Sequence, residues 1–359
     1  MKETKNNMPL DLNELFNMSI FDSLCQCNSG HMNDVAITYS ADRNINNLEQ
    51  QPRIKKITYL QLVNNILKTY KGLKASGVQK GDIITYSSTL TPELIYTLYA
   101  SSLVGSIFKP IDIELNSDEL INQFEQTPSK LFFTSQQAIK NVIPVINDIN
   151  VEETIVTNKS ESLPKIEKIK NRLKQCNISN NNLFISWKKF YNQKLNATFP
   201  KFRINKDAII YYNDEKGNLE KENTNLDINV QSYSLSNSDI QFERKDKIIN
   251  CVEPWKDLGL VHTALCNGMT IKIDSQWTPE NNSKYIIKNN PQIWLGASEL
   301  LNDLFTNEEY KNLKLTNVKY FISKEIPDEK KEFYQNRLNE MSSNGEIISI
   351  NKIKQKKKI

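Results

Sequence analysis

Short apolar runs alternate with amphipathic segments along residues 57–135, and this alternation is the clearest pattern in the chain. Apolar runs of the buried-strand kind lie at 83–86, 107–111 and 131–134. Residues 59–73 keep their apolar side chains on one helical face, and further helices are indicated from residue 91 and near residue 117. Short links between such elements predict parallel strands with right-handed crossovers and helices on both faces of the sheet.

Residues at the predicted helix ends agree with this pattern. Thr58 and Gln61 have the spacing of a capping box, and Thr91 precedes a proline at the first helical position. Gly77 and Gly105 stand where a helix ends and the backbone needs a positive φ. The helix boundaries in this part of the chain are therefore predicted from local chemistry alone.

The second half repeats the alternation less regularly. Strands are predicted at 248–252, 269–273, 293–295, 318–322 and 346–350, and helices at 283–288, 298–304 and 328–341. The fold class is therefore α/β, with two pseudo-equivalent doubly wound subdomains at about 55–206 and 207–350 and a ligand cleft between them. We expect an N-terminal segment at 1–54 that includes a strand at 35–39, and a basic tail at 351–359. The sequence shows no internal repeat.

Composition narrows the class of protein. The chain has 359 residues, of which 38% are hydrophobic and 25% are charged, and this favours a folded protein of one or two domains. A net charge of +4 does not indicate a nucleic-acid binder. We find neither a secretory signal nor an apolar run of about 20 residues, so we expect a cytoplasmic protein without a membrane span. The five cysteines (Cys25, Cys27, Cys176, Cys251 and Cys266) are scattered, and reduced thiols are expected.

The stretch 207–222 has the layout of a phosphate-binding loop. An apolar run at 208–212 leads into a polar segment that contains one glycine, Gly217. Such loops bind phosphate because glycines let several backbone N–H groups point at one anion. Here Asp214, Glu215 and Glu220 bring negative charge to the same segment.

A series of short segments, in order along the chain, resembles the adenylate-forming ligase superfamily, which includes acyl- and aryl-coenzyme A synthetases. The segments are I-T-Y-L-Q-L from Ile57, G-V-Q-K-G-D from Gly77, T-P-E-L-I-Y from Thr91, L-V-G-S-I-F-K-P-I-D from Leu103, W-K-K-F from Trp187, G-L-V-H-T-A-L-C-N-G-M-T from Gly259 and P-Q-I-W-L-G from Pro291. The resemblance covers nearly the whole chain, but only the large N-terminal part of the family's proteins. It implies that the small C-terminal domain of those enzymes is absent here.

The resemblance implies an activity and a set of cofactors. Members of the superfamily use ATP and magnesium to convert a carboxylate to an acyl-adenylate, and most then transfer the acyl group to coenzyme A. Their phosphate loop reads Y-T-S-G-T-T-G-x-P-K-G, which places Tyr211 on its tyrosine and Gly217 on its last loop glycine. The phosphate-loop positions carried over are Asn213, Lys216, Gly217 and Lys221, while acids and bulky residues replace most of the rest. No catalytic residue is carried over.

Other parts of the superfamily's pattern also differ here. The P-x-x-H-x-x-G segment of the acyl pocket corresponds to P-W-K-D-L-G from Pro254, which is one residue shorter and has no histidine between its proline and its glycine. The resemblance suggests a substrate pocket near Trp255, Gly259, Trp294 and Gly296. The motif G-Y-G-x-T-E should follow the last strand, but S-I-N-K-I-K-Q stands there instead.

Three further features of the sequence are candidate sites. Cys25, Cys27 and His31 could form half of a metal site, but free thiols and a surface histidine are favoured and no metal is expected. His262 has no obvious serine, aspartate or cysteine partner in the sequence, and we expect it on a helix. The lysine-rich tail could contact acidic lipid or RNA, although a solvated terminus is favoured.

Three functions remain open. The favoured one is a degenerate relative of the acyl-coenzyme A synthetases that cannot complete adenylation alone. The second is a non-catalytic module that binds an acyl chain, a small carboxylic acid, a nucleotide or a protein partner. The third is an active ligase completed by another chain. The carboxylate class and the oligomeric state are not determined by the sequence.

Overall fold

The strands and helices predicted from the apolar pattern are present in the structure, which is a computed structural model. It describes residues 10–40, 54–87, 90–112, 114–158, 161–162, 184–193, 208–213, 219–250, 258–274, 277–323, 325–342 and 344–350. The elements of the first half are α1 Leu12–Leu15, α2 Ile20–Cys27, β1 Val35–Ser40, β2 Lys55–Thr58, α3 Tyr59–Ala75, β3 Ile83–Ser87, α4 Pro92–Val104, β4 Ile107–Pro110, α5 Ser117–Gln126, β5 Leu131–Ser135, α6 Ile139–Val142, β6 Glu153–Thr157, β7 Phe184–Ser186 and α7 Trp187–Tyr191. Those of the second half are β8 Ala208–Asn213, β9 Leu219–Thr224, α8 Asn225–Ser236, β10 Lys247–Asn250, α9 Leu258–Cys266, β11 Thr270–Asp274, α10 Asn282–Asn289, β12 Ile293–Leu295, α11 Asn302–Thr306, β13 Tyr320–Ser323, α12 Asp328–Met341 and β14 Glu346–Ser349.

The predicted helix ends are confirmed. The Thr58 side chain accepts from the N–H of Gln61, and the Gln61 side chain accepts from the N–H of Thr58, which completes a capping box at the start of α3. Thr91 caps α4 ahead of its proline. Gly77 and Gly105 have φ values of 74° and 77°, the left-handed conformation that suits glycine after a helix.

Two seven-stranded sheets form the framework, and the α/β class is confirmed. The first has the order β7-β6-β5-β3-β4-β8-β9 and the second has the order β14-β13-β12-β10-β11-β1-β2. Neighbouring strands are parallel in both sheets except at one edge, where β9 and β2 run antiparallel to their partners. The two sheets therefore share one topology, although the sequence shows no repeat.

The antiparallel pairs are exchanged between the halves. The pair β1–β2 begins the chain but extends the second sheet, where β1 lies parallel to β11. The pair β8–β9 begins the second half but extends the first sheet, where β8 lies parallel to β4. Membership of a sheet thus does not follow chain order, and the domain boundaries at 55–206 and 207–350 stay a prediction.

The largest apolar cluster lies between the two sheets. It takes residues from α2, α3, α4 and α9 and from strands of both sheets, such as Ile84, Leu98 and Ile271. The Tyr59 hydroxyl crosses this layer and donates to the carbonyl oxygen of Met269 at 2.7 Å. A second cluster, centred on Trp294 and Phe321, covers the outer face of the second sheet, and a third, around Phe124 and Phe132, lies against the first sheet.

Some elements were not predicted. The strands β2 and β9 and the helix α8 lie in polar sequence, and edge pairing or capping, not an apolar pattern, forms them. The sequence also predicts a helix at 164–173 and loops at 42–53 and 177–182, but these segments lie outside the described residues. None of the described helices is long and apolar enough to span a membrane.

Candidate functional site

Small polar residues line the edge where the parallel strands of each sheet end. In the first sheet the Ser87 hydroxyl donates to the Asp112 carbonyl at 3.1 Å, and Thr157 donates to the Thr134 carbonyl at 3.1 Å. In the second sheet the Ser40 hydroxyl donates to Oδ2 of Asp274 at 2.9 Å. Open α/β sheets bind ligands outside the carboxyl ends of their strands, so these two edges are the places to look for a site.

The predicted phosphate loop joins β8 to β9 at the carboxyl edge of the first sheet. Asn213 pairs with Leu219 and Tyr212 with Lys221, so residues 214–218 connect two antiparallel strands. Asn213 and Lys221 are described as strand backbone, whereas Lys216 and Gly217 lie outside the described residues. The cofactor-binding role of these four residues stays a prediction.

The residues predicted to line a substrate pocket are only partly brought together. Trp294 is fully buried, and its Nε1 donates to Oδ1 of Asn282 at 3.3 Å. A Cβ added at Gly296 would lie 2.1 Å from Cζ2 of that indole, so the ring lies against the Gly296 backbone. Gly259 lies elsewhere, because a Cβ there would meet the side chain of Gln231 on α8. Trp255 is outside the described residues, and the pocket role of all four residues stays a prediction.

A buried polar network surrounds His262, and the sequence pattern does not predict it. His262 is fully buried on α9, with Nδ1 2.9 Å from the Tyr99 hydroxyl and Nε2 3.0 Å from both Ser23 Oγ and Asn229 Oδ1. Cys266, one helical turn further on, places its sulfur 3.4 Å from Nε2. The expectation that His262 lacks a serine or cysteine partner is therefore wrong. The spacing of four residues between His262 and Cys266 was visible in the sequence, but Ser23 lies 239 positions away.

The network fixes the tautomer of His262. The amide nitrogen of Asn229 donates to the Met18 carbonyl at 2.9 Å, so its oxygen faces the imidazole as an acceptor. Nε2 therefore carries the proton, and Nδ1 accepts from the Tyr99 hydroxyl. Burial lowers the pKa of His262 to about 3, so the ring is neutral at physiological pH. This arrangement joins α2, α4, α8 and α9, and its residues have no exposed surface on which to meet a substrate.

The thiols do not come together with His31. His31 lies on the surface with its Nδ1 3.7 Å from a carboxylate oxygen of Asp34. Cys27 is buried and Cys25 is half-buried, and neither forms a disulfide bond within the described residues. Burial raises the pKa of the Cys266 thiol, which disfavours the reactive thiolate. Within the described ranges, no group of three or more His, Cys, Asp or Glu residues is arranged to hold a metal ion.

Lys109 is a second buried group that the sequence analysis missed. It lies on β4, is 1% exposed, and its Nζ donates to the carbonyl of Gln123 on α5 at 2.7 Å. Burial lowers the pKa of this amine to about 8. The contact holds α5 against the sheet, since it uses a carbonyl in the last turns of the helix.

Comparison with known proteins gives these features a context. The profile of the AMP-binding enzyme family matches residues 27–211. An acetyl-coenzyme A synthetase of Allorhizobium ampelinum is 29% identical over 101 residues, which are 28% of this chain and 16% of that protein. The matched stretch thus spans about a sixth of that relative's length.

Solved structures share the fold over a longer stretch. A long-chain-fatty-acid-CoA ligase from Archaeoglobus fulgidus superposes with a TM-score of 0.71 at 16% identity, covering 91% of this chain and 62% of that one. An anthranilate CoA ligase in complex with anthranoyl-AMP gives 0.73 at 12% identity, covering 94% and 60%. At sequence identities of 16% and 12%, these structures support the assignment of the fold alone. Because the family profile covers more than half of the chain and both sheets have the fold of these ligases, the protein belongs to the AMP-binding enzyme family.

Proposed function

We propose that this protein is a ligase-like member of the AMP-binding family whose own phosphate hairpin does not support ATP-dependent activation of a carboxylate. The phosphate hairpin is defined as residues 208–224. The observation that carries the proposal is the chemistry of its connecting loop, where Asp214 and Glu215 stand in a segment with one glycine.

The charge of the hairpin opposes a triphosphate. Lys216 and Lys221 are outnumbered by acidic residues in the stretch 211–222, namely Asp214, Glu215, Glu220 and Glu222. A carboxylate about 4 Å from a phosphate charge is repelled by roughly 4 kcal/mol at an effective dielectric near 20. The loop also lacks the glycines and hydroxyls that would supply converging donors, so ATP and its magnesium ion do not fit the residues present.

The position of the hairpin adds to this argument. Strand β8 pairs with β4 through Ile210 and Phe108, so the loop after β8 and the turn after β4 leave the same edge of the sheet. That turn carries Asp112 and Glu114, where the Glu114 N–H donates to the Asp112 carboxylate at 2.9 Å. The carboxyl ends of β8 and β4 are thus neighbours, and acidic residues follow both strands in the sequence.

A fold that does not catalyse carboxylate activation can still bind a ligand. The strands β3 to β6 and β10 to β14 form two well-packed parallel sheets, and the edges that bind ligands in such sheets remain polar. The acidic hairpin does not exclude three classes of ligand: a small carboxylic acid, an acyl chain or a protein partner.

The direct test is ATP–pyrophosphate exchange over a panel of short-chain, long-chain and aromatic carboxylates. We expect no exchange above background for the natural sequence. A second protein for comparison is a variant in which the superfamily's loop sequence is restored. If the hairpin sequence is what prevents ATP binding, this variant should bind ATP in calorimetry. It carries Tyr212→Thr, Asn213→Ser, Asp214→Gly, Glu215→Thr, Lys216→Thr, Leu219→Pro, Glu220→Lys and Lys221→Gly.

Three results separate the possibilities. Clear carboxylate-dependent exchange by the natural protein would falsify the proposal. ATP binding of equal strength in the natural and restored proteins would show that the acidic loop is not the obstacle. Thermal shifts with acyl-coenzyme A or a fatty acid but not with ATP would support a binding role.

A further inference from the structure

A crevice is expected in the first sheet between β3 and β5, at some distance from the phosphate hairpin. The chain passes from β3 to β4 on one side and then crosses to β5 on the other side of β3, so the direction of the strand order reverses there. Open α/β sheets bind ligands at the carboxyl ends of the strands at such a switch point. Helix α4 begins at this point, with Thr91 as its N-cap.

A buried carboxyl group lies in the first turn of the helix that begins at this point. Glu93, in the first turn of α4, is 2% exposed, and its Oε1 accepts a hydrogen bond from the Ser162 hydroxyl. Burial, and to a smaller extent the charge of Glu161, raise the pKa of Glu93 to about 7 against the hydrogen bonds of Ser162, its own backbone and Thr91. Among the described residues no basic side chain acts on this carboxyl. A buried carboxylate needs a partner of opposite charge or a proton.

Two buried phenol groups lie beside the same carboxyl. Among the described residues, the hydroxyls of Tyr86 and Tyr96 are buried and have no partner with the geometry of a hydrogen bond. Thr91 and Thr157 lower the pKa of Tyr86, and Asn65 and Ser162 lower that of Tyr96, but none of these side chains is placed to form a hydrogen bond with the phenol. Burial first, and the Glu93 charge second, raises the pKa of both phenols. Buried polar groups without partners are rare, and a bound water, ion or ligand is one explanation for them.

Tyr191 and Ser162 are less buried than Glu93 and the two phenols. Both are half-buried, and the Tyr191 hydroxyl donates to Oδ1 of Asn65 at 2.6 Å. Burial, followed by the Glu93 charge, raises the pKa of Tyr191 to about 12. The two half-buried residues mark the side from which a small molecule could enter.

We propose that this tyrosine crevice, formed by Tyr86, Glu93, Tyr96 and Ser162, binds the primary ammonium group of a small amine. A primary ammonium has three N–H donors, and the crevice offers three oxygen acceptors, on Glu93 and the two unpartnered phenols. The positive charge also supplies the partner that the Glu93 carboxylate lacks. The inference is independent of the proposed function, because β4 separates β3 from β8 and its phosphate hairpin.

The test is thermal unfolding of the full-length protein at pH 8 and constant ionic strength. Methylammonium chloride replaces choline chloride stepwise, and potassium chloride replaces it in a parallel series. We expect a saturable rise in Tm with methylammonium, no rise in Glu93→Gln, and a reduced rise in Tyr96→Phe. Tyr285→Phe, a buried tyrosine of the second half, is the matched control and should keep the full rise.

The pH dependence gives a second readout on the natural protein. With the pKa of Glu93 at about 7, the apparent dissociation constant for methylammonium should weaken about tenfold from pH 8 to pH 6. An equal rise with potassium would overturn the assignment to an amine, since potassium has no N–H donors. A rise retained in Glu93→Gln, or no difference between methylammonium and choline, would also overturn it. If Glu93→Gln does not fold, the tyrosine variants and the pH dependence decide.

Discussion

Acidification should weaken the fold through His262 in particular. The imidazole is neutral and buried in the native protein, where it bonds to Tyr99, Ser23 and Asn229. In the unfolded chain it takes up a proton near its ordinary pKa of 6.5, whereas in the fold its pKa is about 3 because of burial. The unfolded state therefore binds more protons between these values. The stabilising contribution is complete above pH 6.5 and is lost as pH falls towards 3.

The size of the effect follows from the two pKa values. From pH 8 to pH 5 this one group should lower the free energy of unfolding by about 2 kcal/mol, at 1.36 kcal/mol for each pH unit below 6.5. The replacement His262→Gln cannot be protonated, and its amide can still donate to Asn229. It should be less stable at pH 8 by about 1–3 kcal/mol, because Tyr99 loses its acceptor.

The assay is urea unfolding of the natural protein and of His262→Gln at pH 8, 7, 6 and 5. The stability difference between the two should shrink by about 2 kcal/mol from pH 8 to pH 5. His31→Gln is the matched control, since the side chain of His31 is 55% exposed, and it should follow the natural protein at every pH. A stability difference between the natural protein and His262→Gln that does not change with pH would refute the reasoning.

Three other changes test buried groups in both halves. In buffer without amines, the free energy of unfolding should fall by about 3 kcal/mol as pH rises from 4.5 through 7, because burial raises the pKa of Glu93 to about 7. In urea titrations, Glu93→Gln should remove this fall. Lys109→Met should raise Tm at pH 7, with a gain in the free energy of unfolding of about 1–3 kcal/mol. The replacement removes a buried charge, and the Gln123 carbonyl keeps its hydrogen bond from the Thr127 N–H. A lower Tm would mean that the Lys109 contact stabilises α5. Gly296→Ala should lower the free energy of unfolding by about 1–3 kcal/mol, because the new methyl group meets the rigid, buried Trp294 ring. Gly259→Ala should lower it less, because the half-buried Gln231 side chain can move. Equal losses of Tm in the two variants would contradict this contrast.

The candidate site was predicted unevenly for a physical reason. The apolar run at 208–212 predicts β8 from residues that are adjacent in the chain, whereas its antiparallel partner β9 lies in polar sequence and is not predicted. The sequence pattern does not single out Glu93, because the two buried phenols come from other positions of β3 and α4 and its Ser162 partner follows β6. The His262 network likewise joins residues from four helices. Burial of a charge or an imidazole is a property of the assembled layers, and no local pattern records it.

Local chemistry was enough to determine the helices and the central strands. Thr58, Gln61 and Thr91 cap their helices through hydrogen bonds to residues three positions away, and Gly77 and Gly105 end helices by their own backbone freedom. Apolar runs become strands wherever both faces of a sheet are covered.

Tertiary structure alone decided which strands pair. The polar strands β2 and β9 form because a neighbouring edge strand offers backbone donors and acceptors, which bind any sequence of suitable length. The exchange of the two antiparallel pairs between the sheets depends on contacts such as that of Ile37 with Ile271, which are hundreds of residues apart in the chain. Backbone hydrogen bonds are nearly indifferent to side-chain identity, so the order of strands at these edges is determined by the packing of the whole molecule.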